Sequence, residues 1–237
     1  MVCVYAPDLI NQTEYTLSES ESHHVTNVLR SKNNDAIQIT NGQGKLFNAV
    51  IIDVHKKNTR VQITSHQTYT RQPGAIHLVI APVKTNERLG FLLEKLTELD
   101  VASITPVLTQ NGERRVFNHD KEMHHLVAAI KQSKNPFLPV LHPLIKFEQY
   151  LTDRKLNLAQ KLICHCRETP KPLLANTYTK GNDVIICIGP EGDFTKEEVN
   201  FAEAHGFNSV SLGDGILRAE TAGIAASIIV KTLNQIK

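Results

Sequence analysis

Long apolar runs are missing from this chain, and so is a basic, uninterrupted hydrophobic start. The opening MVCVYAPDLINQTEY carries an Asp and a Glu where a secretory leader needs positive charge and an apolar stretch. No segment reaches the roughly 20 apolar residues that a membrane helix requires. Cysteine is scarce as well. The four thiols, Cys3, Cys164, Cys166 and Cys187, follow no paired spacing, which excludes a disulfide framework in a protein of 237 residues. A cytoplasmic protein with no membrane partner is expected. Charge of one sign is absent too: the formal net charge is +2, so any nucleic-acid surface must be a local patch. The chain contains no Walker phosphate loop, no complete dinucleotide fingerprint, no internal repeat and no low-complexity tract.

What is present suffices for a real core. Hydrophobic residues make up 41% and charged residues 21%, the balance of an ordinary globular protein. The length fits one or two domains, and two is the working count. In residues 1–70, AIQIT, LFNAVIIDV and RVQITSHQTY read as strands rich in Ile, Val and Thr, with Asn41-Gly42 as the turn between the first two. They predict a small β-barrel or curled sheet. Ahead of them, SESHHVTNVLR predicts a short helix with Ser20 or Ser22 as N-cap and Val25, Val28 and Leu29 on one face. Arg71-Gln72-Pro73-Gly74 breaks both periodicities and marks the boundary.

Beyond it the pattern alternates. IHLVIAPV precedes a helix with Leu89, Leu92, Leu93, Leu96 and Leu99 at the 3.6-residue period, and ASITPVLT follows. A helix over HDKEMHHLVAAIKQS turns Met123, Leu126, Val127 and Ile130 inward, ahead of a strand near PVLHPL. LICHC and DVIICIG then bracket the proline-containing ETPKPLLANTY. Strands alternating with helices predict an α/β domain over 71–237 with a mostly parallel sheet and helices on both faces. Cys164-His165-Cys166 is taken as core strand, with no metal expected.

The chemistry is carried by two loops. Residues 183–188 form an apolar strand ending in Gly189-Pro190-Glu191-Gly192-Asp193-Phe194, after which Thr195 and Glu198 have the spacing of a capping box and Gly206 closes the helix. The next strand, 208–212, ends in Gly213-Asp214-Gly215 and leads through Arg218, Ala219 and Glu220 into a long final helix. In open α/β sheets, ligands bind in the crevice outside the carboxyl ends of the strands. Glycines there let main-chain amides approach a flat group such as adenine.

IGPEGDF followed by LGDGILRAETAG resembles the paired C-terminal motifs of the 16S ribosomal RNA uracil-N3 methyltransferase family, RsmE-like members of the SPOUT superfamily. HHVTNVLR and NGQGKLF resemble that family's N-terminal PUA-like RNA-binding barrel. EKLTELDVASITPVLTQNGERRV and IKQSKNPFLPVL resemble the opening of its methyltransferase domain. The resemblance implies a deep trefoil knot, a homodimer with active sites near the interface, S-adenosylmethionine as methyl donor without a metal, and 16S rRNA within the small ribosomal subunit as partner.

It also implies residue roles. Ile188, Gly189, Pro190, Glu191 and Gly192 form one wall of the donor pocket. Leu212, Gly213, Ile216 and Leu217 form the other, with Thr221 and Ala222 behind. Uracil N3 is a poor nucleophile until its proton leaves, so a fixed cation is needed. Arg218 is the residue expected to supply it. Glu220 accepts the proton or orients Arg218, and both readings stand at this point. Arg30, Lys32, Arg114 and Arg115 are the expected RNA contacts, with Lys131 and Lys134 as further candidates. His23 and His24 are assigned to capping or packing. The chain departs from the family pattern at Gly90, where Glu is common, at Asn135, where a basic residue is common, and at Asp193, where a second Gly is usual. Two other activities fit the same pocket: methylation of a ribose hydroxyl or a transfer RNA base, and, from a different class, a non-catalytic RNA-binding assembly factor.

Overall fold

The structure, a computed structural model, describes residues 2–152, 159–167 and 170–236. It divides into two compact units, each described here by itself. One comprises the residues up to Arg71 together with Val127–Leu138, and the other comprises Gln72–Leu126 and the chain from Pro139 onward. Val127–Leu138 therefore belongs with the first unit, although it falls inside the stretch 71–237.

The first unit contains strands β1 (Val2–Tyr5), β2 (Glu14–Thr16), β3 (Ala36–Thr40), β4 (Lys45–Asp53) and β5 (Arg60–Thr68), with helix α1 (Glu19–His23) before β3. The sheet order is β1-β3-β4-β5-β2, with β1 parallel to β3 and the other pairs antiparallel. Among the described residues no pairing of β1 with β2 closes the sheet, so the order is open where a barrel was expected. Val4, Ile37, Ile39, Phe47, Ile51 and Val61 form its core with Leu9 and Val25. The connection from β3 to β4 is made by Asn41, whose Oδ1 accepts from the amides of Gln43 (2.9 Å) and Lys45 (3.1 Å). Gly42 and Gly44 take φ of +70° and +98° there.

The N-cap of α1 is Ser18, whose Oγ accepts from Glu21 N, in place of Ser20 or Ser22. Ser22 is buried: its Oγ donates to Leu17 O and accepts from Thr59 N. A wide turn follows at His24–Val28, in which Leu29 N donates to His24 O, five residues back. That extra residue per turn rotates the following side chains off the expected face. Val25 stays buried while Val28 and Leu29 reach solvent. The segment Val127–Leu138 sends Lys131 Nζ onto both oxygens of the buried Glu21, at 2.8 and 2.9 Å, so Lys131 is committed to an internal ion pair.

In the second unit β6 (Ile76–Ile80), β7 (Ser103–Leu108), β8 (Val140–Leu141), β9 (Ile145–Lys146), β10 (Gln160–Cys164), β11 (Val184–Ile188) and β12 (Asn208–Val210) pair only in parallel among the described residues. The order is β12-β10-β11-β6-β7-β8, with β9 on β7. Side chains alternate across such a sheet. Val79, Val107, Ile163, Ile185 and Cys187 face α4 (Phe147–Leu151) and α6 (Lys196–Ala204), which bring Phe147, Val199 and Ala202. On the other face α7 (Ala219–Gln235) covers β6 and α2 (Asn86–Glu98) packs on α7, with Gly223 of α7 against Leu78, Ile80 and Leu92. Burial on both faces explains the unbroken apolar runs of β6 and β11.

Leu89, Leu92, Leu93 and Leu96 of α2 are buried, Leu99 only in part. The helix expected over HDKEMHHLVAAIKQS is α3 (His119–Ser133), in which Leu126 and Ile130 are fully buried and Met123 and Val127 partly. In ETPKPLLANTY, Glu168 and Thr169 lie outside the described residues; the remainder contains α5 (Leu174–Thr177). The Cys164-His165-Cys166 segment is core strand only at Cys164, where β10 ends. Among the described residues no helix is long and apolar enough to cross a membrane.

Candidate functional site

The chain reaches β10 only after leaving β8 and β9, and then turns back to insert β11 between β10 and β6. At the carboxyl ends of β10, β11 and β12 lies a cavity of about 400 Å³, within the range of small-molecule sites. The loop after β11 supplies Gly189, Pro190, Glu191, Gly192 and Asp193. The loop after β12 supplies Leu212, Gly213, Ile216 and Leu217, and α7 closes the back with Ala219 and Ala222. Ile188 lines it too, and Thr221 does not. Sequence reasoning missed Cys164, His165 and Cys166, which form the side beneath β10's end. A larger cavity of about 760 Å³, bounded by His77, Ser103, Tyr150 and Ile185, is lined by neither glycine-bearing loop.

Local chemistry fixes the first loop. Thr195 Oγ1 accepts from Glu198 N (3.2 Å) and Glu198 Oε2 accepts from Thr195 N (2.8 Å), the reciprocal capping box expected. The other oxygen of the buried Glu198 accepts from Gln110 N (2.8 Å), and Asn111 Nδ2 donates to the carbonyls of Gly192 and Asp193. Asp193 stands at φ +59°, the left-handed region, which a glycine would adopt without strain. Its carboxylate compensates by accepting from Phe194 N and Cys166 N. In the second loop Gly213 has φ +128°, a conformation open to glycine alone in practice.

The charged groups pair differently from the sequence expectation. Glu220, nearly buried, is held by Arg88 of α2: Nε donates to Oε1 at 2.7 Å and Nη2 to Oε2 at 2.5 Å. The same guanidinium donates through Nη1 to Glu191 Oε1 at 3.2 Å, and Lys84 N donates to that oxygen at 3.3 Å. One arginine thus joins the first loop to the start of α7. Burial pushes the Glu220 carboxyl up, but the Arg88 hydrogen bonds, a backbone amide and the charges of Arg88 and Arg218 outweigh it and hold it below the usual range. Arg218 itself is exposed and makes no side-chain hydrogen bond among the described residues. Nothing in the local sequence links Arg88 to partners 103 and 132 residues away.

Of the expected RNA contacts, Arg30 and Lys32 are exposed, and Arg30 sits at φ +53° beyond the wide turn. Arg114 is partly buried and Arg115 exposed, and both guanidinium groups are bonded to groups of the protein itself. Arg114 Nε donates to Val116 O, and its Nη2 lies 3.5 Å from the buried Glu122. Arg115 donates to the carbonyls of Thr109 and Gln110. Gly90 makes room for His125, whose Cε1 would lie 2.6 Å from an added Cβ, so a Glu there would displace that ring. Asn135 Oδ1 accepts from Phe137 N and its carbonyl from Thr40 Oγ1.

A parallel sheet with a glycine-lined crevice at the carboxyl ends of its strands defines an α/β domain of the kind that binds small ligands there. A family model described as an RNA methyltransferase domain matches residues 70–231, and one described as an RNA methyltransferase PUA domain matches residues 17–64. The chain belongs to the RNA methyltransferase family. It is 30% identical over 217 residues to ribosomal RNA small subunit methyltransferase E of Rickettsia conorii, covering 91% of this chain and 88% of that one. Among solved structures, a probable rRNA-methyltransferase from Porphyromonas gingivalis superposes with a TM-score of 0.90 at 33% identity, covering 99% of each chain. The ribosomal RNA small subunit methyltransferase E of Neisseria gonorrhoeae, solved bound to S-adenosyl methionine, does so with 0.86 at 27% identity, covering 98% of each. The membership read from IGPEGDF and LGDGILRAETAG holds.

Proposed function

We propose that this protein transfers a methyl group from S-adenosylmethionine to N3 of a uridine in 16S rRNA, with the cavity between the two glycine-bearing loops as the donor site. The observation that carries the reading is the joint placement of those loops, with Arg218 exposed at the start of α7 and free of any side-chain hydrogen bond among the described residues. The residues fit such a donor: glycine backbone at Gly189 and Gly213, apolar walls from Ile188, Leu212 and Leu217, and open space beside Gly213. When bound, it supplies a methyl group on a sulfonium.

The protein's own groups do the rest. Arg218, permanently charged, bonds a uracil carbonyl oxygen and stabilises the base once N3 has lost its proton. Glu220, ionised and held by Arg88, is a weak proton acceptor at neutral pH; its part is to fix the start of α7 and so the place of Arg218. Residues 1–70 serve as the PUA-like RNA-binding part and 71–237 as the catalytic part. Arg30 and Lys32 are the favoured phosphate contacts, ahead of the internally bonded Arg114 and Arg115. A deep trefoil knot around β11 and α7, a homodimer, a small-subunit substrate and a cytoplasmic location complete the proposal.

The test is incubation of undermethylated small ribosomal subunits with the protein and labelled donor, followed by nuclease digestion and mass spectrometry. Methyl on uridine N3 is expected. Methyl on a ribose or on transfer RNA overturns the substrate, and no donor binding at millimolar concentration overturns the enzyme. Arg218→Ala is expected to abolish transfer and leave donor affinity within about threefold.

A further inference from the structure

The segment between β7 and α3 reaches the first glycine-bearing loop, although none of its described residues lines the crevice. Asn111 makes the contact. Its Nδ2 donates to two successive carbonyls, Gly192 O and Asp193 O, each at 3.0 Å. A carbonyl oxygen only accepts, so the side-chain amide must turn its nitrogen to the pair, and both of its hydrogens are used. The approach is close: a Cβ added at Gly192 would lie 3.1 Å from Asn111 Cβ.

The two carbonyls flank Asp193, one in the peptide bond before it and one in the bond after it. Asp193 has φ +59°, a conformation that costs free energy in a residue with a side chain. Such a turn persists only where its surroundings hold it. Asp193 N donates to Pro190 O at 3.0 Å, and its carboxylate accepts from Phe194 N at 2.8 Å and Cys166 N at 2.9 Å. Those bonds hold the amide side of the turn. Among the described residues Asn111 alone holds the carbonyl side. Gly192 and Asp193 both line the crevice, so the shape that Asn111 fixes is the shape a ligand meets.

We propose that Asn111 is a positioning residue for methyl transfer: it holds the left-handed turn at Asp193 and so keeps the first loop in the form that receives the methyl donor. The inference rests on the donor site proposed above. Asn111 is exposed and outside the crevice wall, so it acts through the loop and contributes little to the core. Without it the loop samples other forms, and apparent donor affinity falls by the fraction of time spent in the competent one.

Calorimetric titration of the full-length protein with S-adenosylmethionine tests this, together with steady-state transfer to undermethylated small ribosomal subunits at varied donor concentration. Asn111→Ala removes both bonds; Asn111→Asp keeps the shape of the side chain and sets an oxygen against two carbonyl oxygens. The Ala variant is expected to bind the donor about tenfold more weakly and the Asp variant more weakly still, with KM for the donor rising in step and kcat at saturating donor within about threefold of wild type. Wild-type Kd in both variants overturns the proposal. So does a reduced binding stoichiometry at unchanged Kd, the mark of a residue needed only for folding, and so does a loss in kcat with KM for the donor unchanged. Failure of the wild-type protein itself to bind refutes the donor site instead.

Discussion

Replacing Arg88 with methionine keeps an unbranched side chain of similar length and removes the charge that Glu220 depends on. Glu220 would remain with a side chain 8% exposed, held only by a backbone amide and the charge of Arg218. Breaking a fully buried pair costs about 3–5 kcal/mol. Arg88 is 25% exposed, so water screens part of the loss and about 2 kcal/mol is expected. For a chain of this length that corresponds to a fall in Tm of roughly 4–8 °C.

The pH dependence follows from the direction of the Glu220 shift. Its folded-state pKa is depressed from 4.5, so its contribution is complete above the unfolded value and is lost as pH falls through the lowered folded one. The gap between wild type and Arg88→Met should therefore be full at pH 7 and shrink under acid, as the carboxyl is neutralised in both proteins. Thermal unfolding followed by circular dichroism at pH 7 and pH 4 measures it. A gap that is absent at pH 7, or as large at pH 4, refutes the reasoning.

Other expectations concern single positions. Gly213→Ala forces a side chain onto φ +128° and should cost about 1–3 kcal/mol by thermal melt, with weaker donor binding by calorimetry. Gly223→Leu must push aside Ile80 and Leu78, whose methyls lie 3.2 Å from an added Cβ; a loss of about 1–3 kcal/mol in chemical denaturation is expected. Thiol alkylation at neutral pH followed by peptide mass mapping should modify Cys166, the exposed cysteine, well ahead of the rest. Burial pushes Cys3 up to about 11 and Cys164 up to about 12 and keeps their thiolates scarce. Saturating donor should slow Cys166 labelling.

The two glycine-bearing loops were legible because each is a local pattern: an apolar strand, a glycine-bearing turn, then a helix. The Thr195–Glu198 box needs four residues and formed as read. Arg88 was illegible for the opposite reason, since its meaning lies in Glu191 and Glu220, brought to it by the strand order rather than by spacing. Strands as short as Glu14–Thr16 and Ile145–Lys146 carry too few residues for a period to show. Ser18 was passed over as a cap because Ser20 and Ser22 are chemically equal candidates, and only the burial of Ser22 separates them. Nor does α3 carry any local sign that Val127–Leu138 groups with the first unit.

The insertion of β11 has a temporal consequence. One neighbour, β6, lies some hundred residues earlier and the other, β10, precedes it by about twenty residues that include α5, and its crevice is closed by α7, the last helix described. During synthesis at about 5–20 residues per second, the N-terminal unit can begin to collapse early, yet the crevice between the two glycine-bearing loops lacks a wall until the closing helix has been made. Such long-range parallel pairing is slow to form. On the proposed function, an unfinished chain can therefore have its first unit without a place to seat the donor, so competence for methyl transfer arrives in a single late step.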